Sequence, residues 1–146
     1  MDVSGATCKL QGSGHSAVVG KEAMHVVRGV QAIFWQVKLL EGTNGWVMLG
    51  IIANATPTAM SYSDATVYAW AGSNQVYIAG NNTGSHGGWI GWKSGDVATF
   101  KLEETRVSMR VARLGDTTFE MGVVAGAAYR VHIDVHLHDT GTRVKF

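Results

Sequence analysis

Residues 131–139 read Val-His-Ile-Asp-Val-His-Leu-His-Asp. In an extended strand, successive side chains point to opposite faces, so His132, Asp134 and His136 share one face, with His138 if the strand runs on. Val131, Ile133, Val135 and Leu137 take the other face. Imidazoles at i and i+2 project the same way, and a carboxylate between them completes a facial set for zinc or iron. That chemistry defines one reading: a small β-sandwich or cupin-like enzyme with a His-based metal site on the 129–138 strand. The plainer reading is a solvated, His-rich sheet face. No second His or acid cluster lies nearby in sequence, so we expect no metal and no cofactor.

Nucleophilic chemistry has raw material in Cys8, the serines and six histidines, but none stands in a nucleophile elbow or a Cys-Gly context. Gly84-Ser85-His86-Gly87-Gly88 is glycine-rich yet lacks the Lys-Ser/Thr pair that cradles phosphate. No catalytic residue is therefore expected. The five tryptophans offer stacking surfaces for sugars or bases. Trp35 and Trp70 lie within apolar strands and read as core; Trp89 and Trp92, if exposed, would make a carbohydrate-binding module.

The elements that must position these residues are strands. Residues 89–109 read as a β-hairpin with an aromatic approach: Trp89 and Trp92, a polar turn at 93–96, then Ala98, Phe100 and Leu102 alternating with Val97, Thr99 and Lys101. Glu103-Glu104-Thr105 reverse the chain, and Val107, Met109 and Val111 resume the pattern. Along 33–40, Ile33, Trp35, Val37 and Leu39 oppose Phe34, Gln36 and Lys38. Residues 41–45 read as a hairpin loop leading into 46–53, an almost unbroken apolar run of the kind covered on both faces. Short runs at 17–19 and 24–27 suggest another hairpin. Residues 54–66 form the longest aperiodic stretch, the kind of loop that often carries function. The last strands are expected at 129–137 and 142–146.

Nineteen glycines against one proline, with 46% hydrophobic and 16% charged residues, fit a folded all-β chain of many short strands. A length of 146 residues predicts a single domain over 1–146. With net charge +1 and no clustered basic patch, a nucleic-acid partner is not expected. No apolar run reaches the roughly 18 residues of a membrane span, and the N-terminus does not read as a signal peptide. A single cysteine suits a reducing compartment, so an intracellular, cytoplasmic location is expected.

Several motifs, in order, carry a resemblance. Gly29 precedes Phe34-Trp35-Gln36-Val37; Trp46-Val47-Met48-Leu49-Gly50-Ile51 follows; then Tyr68-Ala69-Trp70; then Gly95-Asp96-Val97, Leu102-Glu103-Glu104 and Val107-Ser108-Met109. Over roughly residues 24–146 this resembles the SPRY domain family, with Gln36 for the usual Glu and Ala69 for the usual Gly. The resemblance implies a twisted antiparallel β-sandwich, concanavalin-like, of about 11 short strands. It also implies a non-enzymatic module that binds a protein or short linear peptide with loops at one rim. Carried onto this chain, the family's binding segments fall at 14–17, 56–63 and 136–140, placing His15, Met60, Tyr62, His136, His138 and Asp139 near one another. Tyrosine and methionine suit such a surface, one giving contact area at low entropic cost and the other repacking to fit.

Overall fold

A computed structural model describes residues 7–9, 14–29, 31–41, 46–137 and 143–145. In chain order its strands are β1 (Thr7–Lys9), β2 (Gly14–Val19), β3 (Ile33–Glu41), β4 (Trp46–Ile52), β5 (Tyr68–Ala71), β6 (Val76–Ile78), β7 (Asn81–Asn82), β8 (Val97–Leu102), β9 (Arg106–Val111), β10 (Phe119–Gly122), β11 (Arg130–Leu137) and β12 (Arg143–Lys145). They form two six-stranded antiparallel sheets, β1-β12-β3-β8-β9-β10 and β2-β11-β4-β5-β6-β7. The expected all-β sandwich is therefore present.

The alternation that specified β8 and β9 is observed. Phe100 pairs with Met109 and Leu102 with Val107, and Ala98, Phe100, Leu102, Val107, Met109 and Val111 are all buried in the core. From the facing sheet, Leu49, Trp70, Ile133 and Val135 fill the same space. Trp35 stacks on Phe100, centroids 5.1 Å apart and planes 4° from parallel. In the segment before β8, Trp89 and Trp92 bridge the sheets. Trp89 meets Phe119 at 5.2 Å, while the two indole N–H groups donate to the Ala71 and Trp70 carbonyls at 2.7 and 2.8 Å. Both rings are buried, which removes the exposed tryptophans that a sugar-stacking surface would have used.

β4 is covered on both faces, as its composition required. Val47, Leu49 and Ile51 face the sandwich core, whereas Met48 and Ile52 join Val67, Ala69, Ala71 and Tyr77 in a second apolar cluster on the outer side of the sheet. Tyr62, from the aperiodic stretch, packs onto that outer cluster. Two glycines allow close backbone approach, one to the neighbouring strand β5 and one to the covering loop. A Cβ on Gly50 would lie 2.2 Å from the Tyr68 carbonyl oxygen; one on Gly80, at φ +75°, would lie 2.5 Å from that of Asp64.

Two expected hairpins are not formed. β3 and β4 lie in different sheets, because a strand apolar on both sides needs strand neighbours inside a covered sheet, here β11 and β5. The 17–19 and 24–27 segments do not pair with each other either: β2 pairs with β11, and Met24 bridges Tyr129 just beyond it. β11 and β12 likewise part into separate sheets.

Candidate functional site

Parity along β11 does place His132, Asp134 and His136 on the outer face, but that face is not solvated. His132 and Asp134 are completely buried. The chain between β4 and β5 folds back over them and closes with a 3₁₀ turn, Ser61–Ser63. The Ser61 hydroxyl donates to Asp134 Oδ2 at 2.7 Å and accepts from His132 Nε2 at 2.7 Å. The Tyr62 backbone N–H donates to the same Oδ2 at 3.2 Å, and His15 Nδ1 lies 3.2 Å from Oδ1. Three donors thus converge on one carboxylate, the arrangement that satisfies a buried ionised acid.

Further bonds hold the covering segment. Asp64 accepts from Asn54 Nδ2 at 2.8 Å and from the Thr66 hydroxyl at 2.6 Å, and the Thr66 oxygen accepts the Ala53 and Asn54 N–H groups. Those side-chain bonds hold the Asp64 carboxyl below its ordinary range, although its partial burial, the largest single influence, pushes the other way.

Ser61, His132 and Asp134 are the residue types of a hydrolytic triad, but their order is wrong for it. In nucleophilic catalysis the imidazole stands between hydroxyl and carboxylate and takes the hydroxyl proton. Here the serine stands in the middle, gives its proton to the acid, and is 1% exposed. Among the described residues, no three His, Cys, Asp or Glu side chains gather in a metal-binding group. The arrangement clamps the loop onto the sheet.

Burial dominates the His132 ring and lowers its pKa to about 4, the nearby Asp64 charge opposing this only in part. With Nε2–H committed to Ser61, its Nδ1 is a buried acceptor without a partner. Because the folded value lies below the ordinary 6.5, the unfolded chain takes up this proton first. The contribution is complete above about pH 6.5 and lost as pH falls towards 4, up to about 3 kcal/mol. Asp134, pushed up mainly by burial, regains part of that at the acid end. Urea unfolding at a series of pH values should show stability falling across this window, with His132→Gln flattening the slope. An unchanged slope in the variant would assign the acid lability elsewhere.

Above the clamp lies an open groove of about 320 Å³ lined by His15, Trp46, Tyr62, Tyr77 and His136. β2 supplies His15, β4 Trp46, the covering loop Tyr62, β6 Tyr77 and β11 His136. The rings of Trp46, Tyr62 and Tyr77 meet edge to face, with centroids 5.9 to 6.0 Å apart. His15 lies 4.8 Å from Tyr62 and 4.6 Å from His136 between centroids. The Trp46 indole N–H donates to Gln75 Oε1 at 2.7 Å, which fixes the ring. Burial pushes the Tyr77 hydroxyl up, assisted by Tyr62 and by the Asp134 charge.

Of the residues expected at one rim, the fold brings His15, Tyr62 and His136 into this groove, and Met60, exposed, touches the Tyr62 hydroxyl through its sulfur at 3.7 Å. His138 and Asp139 lie outside the described residues. Trp46 and Tyr77 were not anticipated. Their parity could have shown them: Trp46 is in phase with Met48 and Ile52, opposite to Val47, Leu49 and Ile51, and so points outward.

No family model matches the chain, and no curated protein matches it in sequence. Solved structures do match. The SPRY domain of human HERC1 superposes with a TM-score of 0.71 at 13% identity, covering 92% of this chain and 82% of that one. The TRIM65 PSpry domain gives 0.61 at 11% identity, covering 89% and 68%. Stonustoxin gives 0.55 at 12% identity, covering 88% of this chain and 20% of the toxin chain. Two six-stranded sheets in this arrangement, over nine-tenths of the chain, are the fold of a SPRY domain.

Proposed function

We propose that the protein is a non-enzymatic interaction module that holds a protein partner, through a short peptide segment, in the groove formed by His15, Trp46, Tyr62, Tyr77 and His136. The observation that carries this reading is convergence. Segments far apart in sequence meet at one aromatic surface, and its loop is clamped from below by Asp134, Ser61 and His132. A surface held in place before binding loses little conformational entropy when occupied. The large, half-exposed rings of Trp46 and Tyr62 are of the type that dominates interface energetics. The SPRY fold supports the same reading by analogy, and Met60 extends the surface outward. His138 and Asp139, next to β11 in sequence, are included in the proposed partner-binding set. The single cysteine fits an adaptor working inside the cell.

Immobilised protein incubated with cell lysate should capture a partner. Tyr62→Ala should weaken its binding by about 2 kcal/mol or more. Arg110→Ala, on the outer face of the other sheet, should leave it unchanged. Because the Tyr62 ring also packs on the outer apolar cluster, melting of the variant is measured alongside. Loss of binding with Arg110→Ala and retention with Tyr62→Ala would move the site to the opposite sheet.

A further inference from the structure

The groove has a charge character that its aromatic lining conceals. Directly beneath it, Asp134 is completely buried, and its three hydrogen-bond donors are a hydroxyl, a backbone N–H and an imidazole. Its neighbour on the strand, His132, is held neutral by burial. A second carboxylate, Asp64, lies on the covering loop close enough to act on His132. Among the described residues, no lysine or arginine lines the groove. A carboxylate removed from water acts through a low-dielectric medium, so its field is weakly screened. At the groove wall it adds, after burial and Tyr62, to the upward push on the Tyr77 hydroxyl. Trp46, Tyr62 and Tyr77 bring π-systems whose faces carry the negative side of the ring quadrupole.

Resting on the groove being the binding site, we infer that its preferred occupant is a cationic side chain of the partner peptide, arginine before lysine. A guanidinium is flat, stacks on aromatic faces and is weakly hydrated, which suits a shallow groove walled by rings; an ammonium needs a deeper cup to recover its hydration. The guanidinium would lie against the Trp46 and Tyr62 rings, its charge balanced through space by Asp134 beneath.

A random heptapeptide phage library selected on the whole protein at about pH 8, where imidazoles are neutral, tests this. Enriched sequences should carry arginine at a constant place, and synthetic peptides should lose about tenfold in affinity when that arginine becomes citrulline, which has the same shape without the charge. Tyr62→Ala should abolish binding, and Asp134→Asn should shrink the arginine-to-citrulline ratio to about threefold or less. Asp134 also anchors Ser61, so its variant is first checked by melting; where it does not fold, the ratio on the native chain decides. Enriched peptides without a basic residue, or with citrulline binding as tightly as arginine, yet still lost with Tyr62→Ala, overturn the cation preference and leave the groove as the site. Peptides indifferent to Tyr62→Ala, or no enrichment at all, overturn both.

Discussion

Trp70→Ala should lower the free energy of unfolding by about 3–5 kcal/mol. The ring is 1% exposed at the middle of the sandwich, tilted at 56° against Phe100 with centroids 6.0 Å apart. Both sheets abut it, so neither can collapse into the space without losing its pairing with the next strand, and the cavity term is added to the lost transfer energy. Its backbone carbonyl also holds the Trp92 indole N–H, so a shift of β5 would disturb the aromatic bridge before β8. Urea midpoints of the two proteins measure the effect. A midpoint within experimental error of the native one would mean that Trp70 does not sit between the sheets.

Asp96→Ala should cost about 3 kcal/mol. The carboxylate is 4% exposed and sits at the turn before β8. It accepts Nε and Nη2 of Arg113 at 2.8 and 2.9 Å and the Lys93 backbone N–H at 2.8 Å. Arg113 Nη2 also donates to the Gly91 carbonyl at 3.1 Å. The turn and the segment after β9 are thus tied by a two-pronged ion pair, a geometry in which charge and direction reinforce each other. Removing the acid leaves a mostly covered guanidinium without its counter-charge. Asp96→Asn keeps the shape and loses the charge, and should cost less, about 1–2 kcal/mol. Thermal and urea melts of both variants give the ranking. Equal, negligible losses would show the pair to be a surface contact of no consequence.

Sequence patterning made the sandwich legible where burial follows strand parity. The Ala98-Phe100-Leu102 and Val107-Met109-Val111 series and the doubly covered β4 appear as expected. It misled wherever one element covers another from outside the repeat. His132 and Asp134 are on the face that parity assigns, but only the aperiodic 54–66 segment decides that this face is roofed, and nothing periodic encodes where that segment lands. Ser61, the residue that fixes it, is one serine among many by sequence. The missed strand crossings have a related cause. A turn signal such as the one read over 41–45 predicts a reversal, whereas the choice between pairing and crossing depends on the strands that arrive later. For the groove, His15, Tyr62 and His136 follow from the resemblance, while Trp46 and Tyr77 are legible only through parity, because their strands look uniformly apolar.

The position of the last two strands sets the order in which the molecule can be assembled. β11 lies between β2 and β4, and β12 between β1 and β3, so each sheet has one of them in its interior. During synthesis, the earlier strands emerge with a gap in both sheets that only β11 and β12 fill. Local hairpins such as β8–β9 can form early, but neither layer closes until sequence-distant partners such as His15 and His136 are brought opposite each other. Such non-local topology favours slow folding. It also leaves strand edges uncovered in the nascent chain, which is where chaperone protection would matter most. The groove draws on both β2 and β11, so it cannot be complete until β11 has joined the sheet.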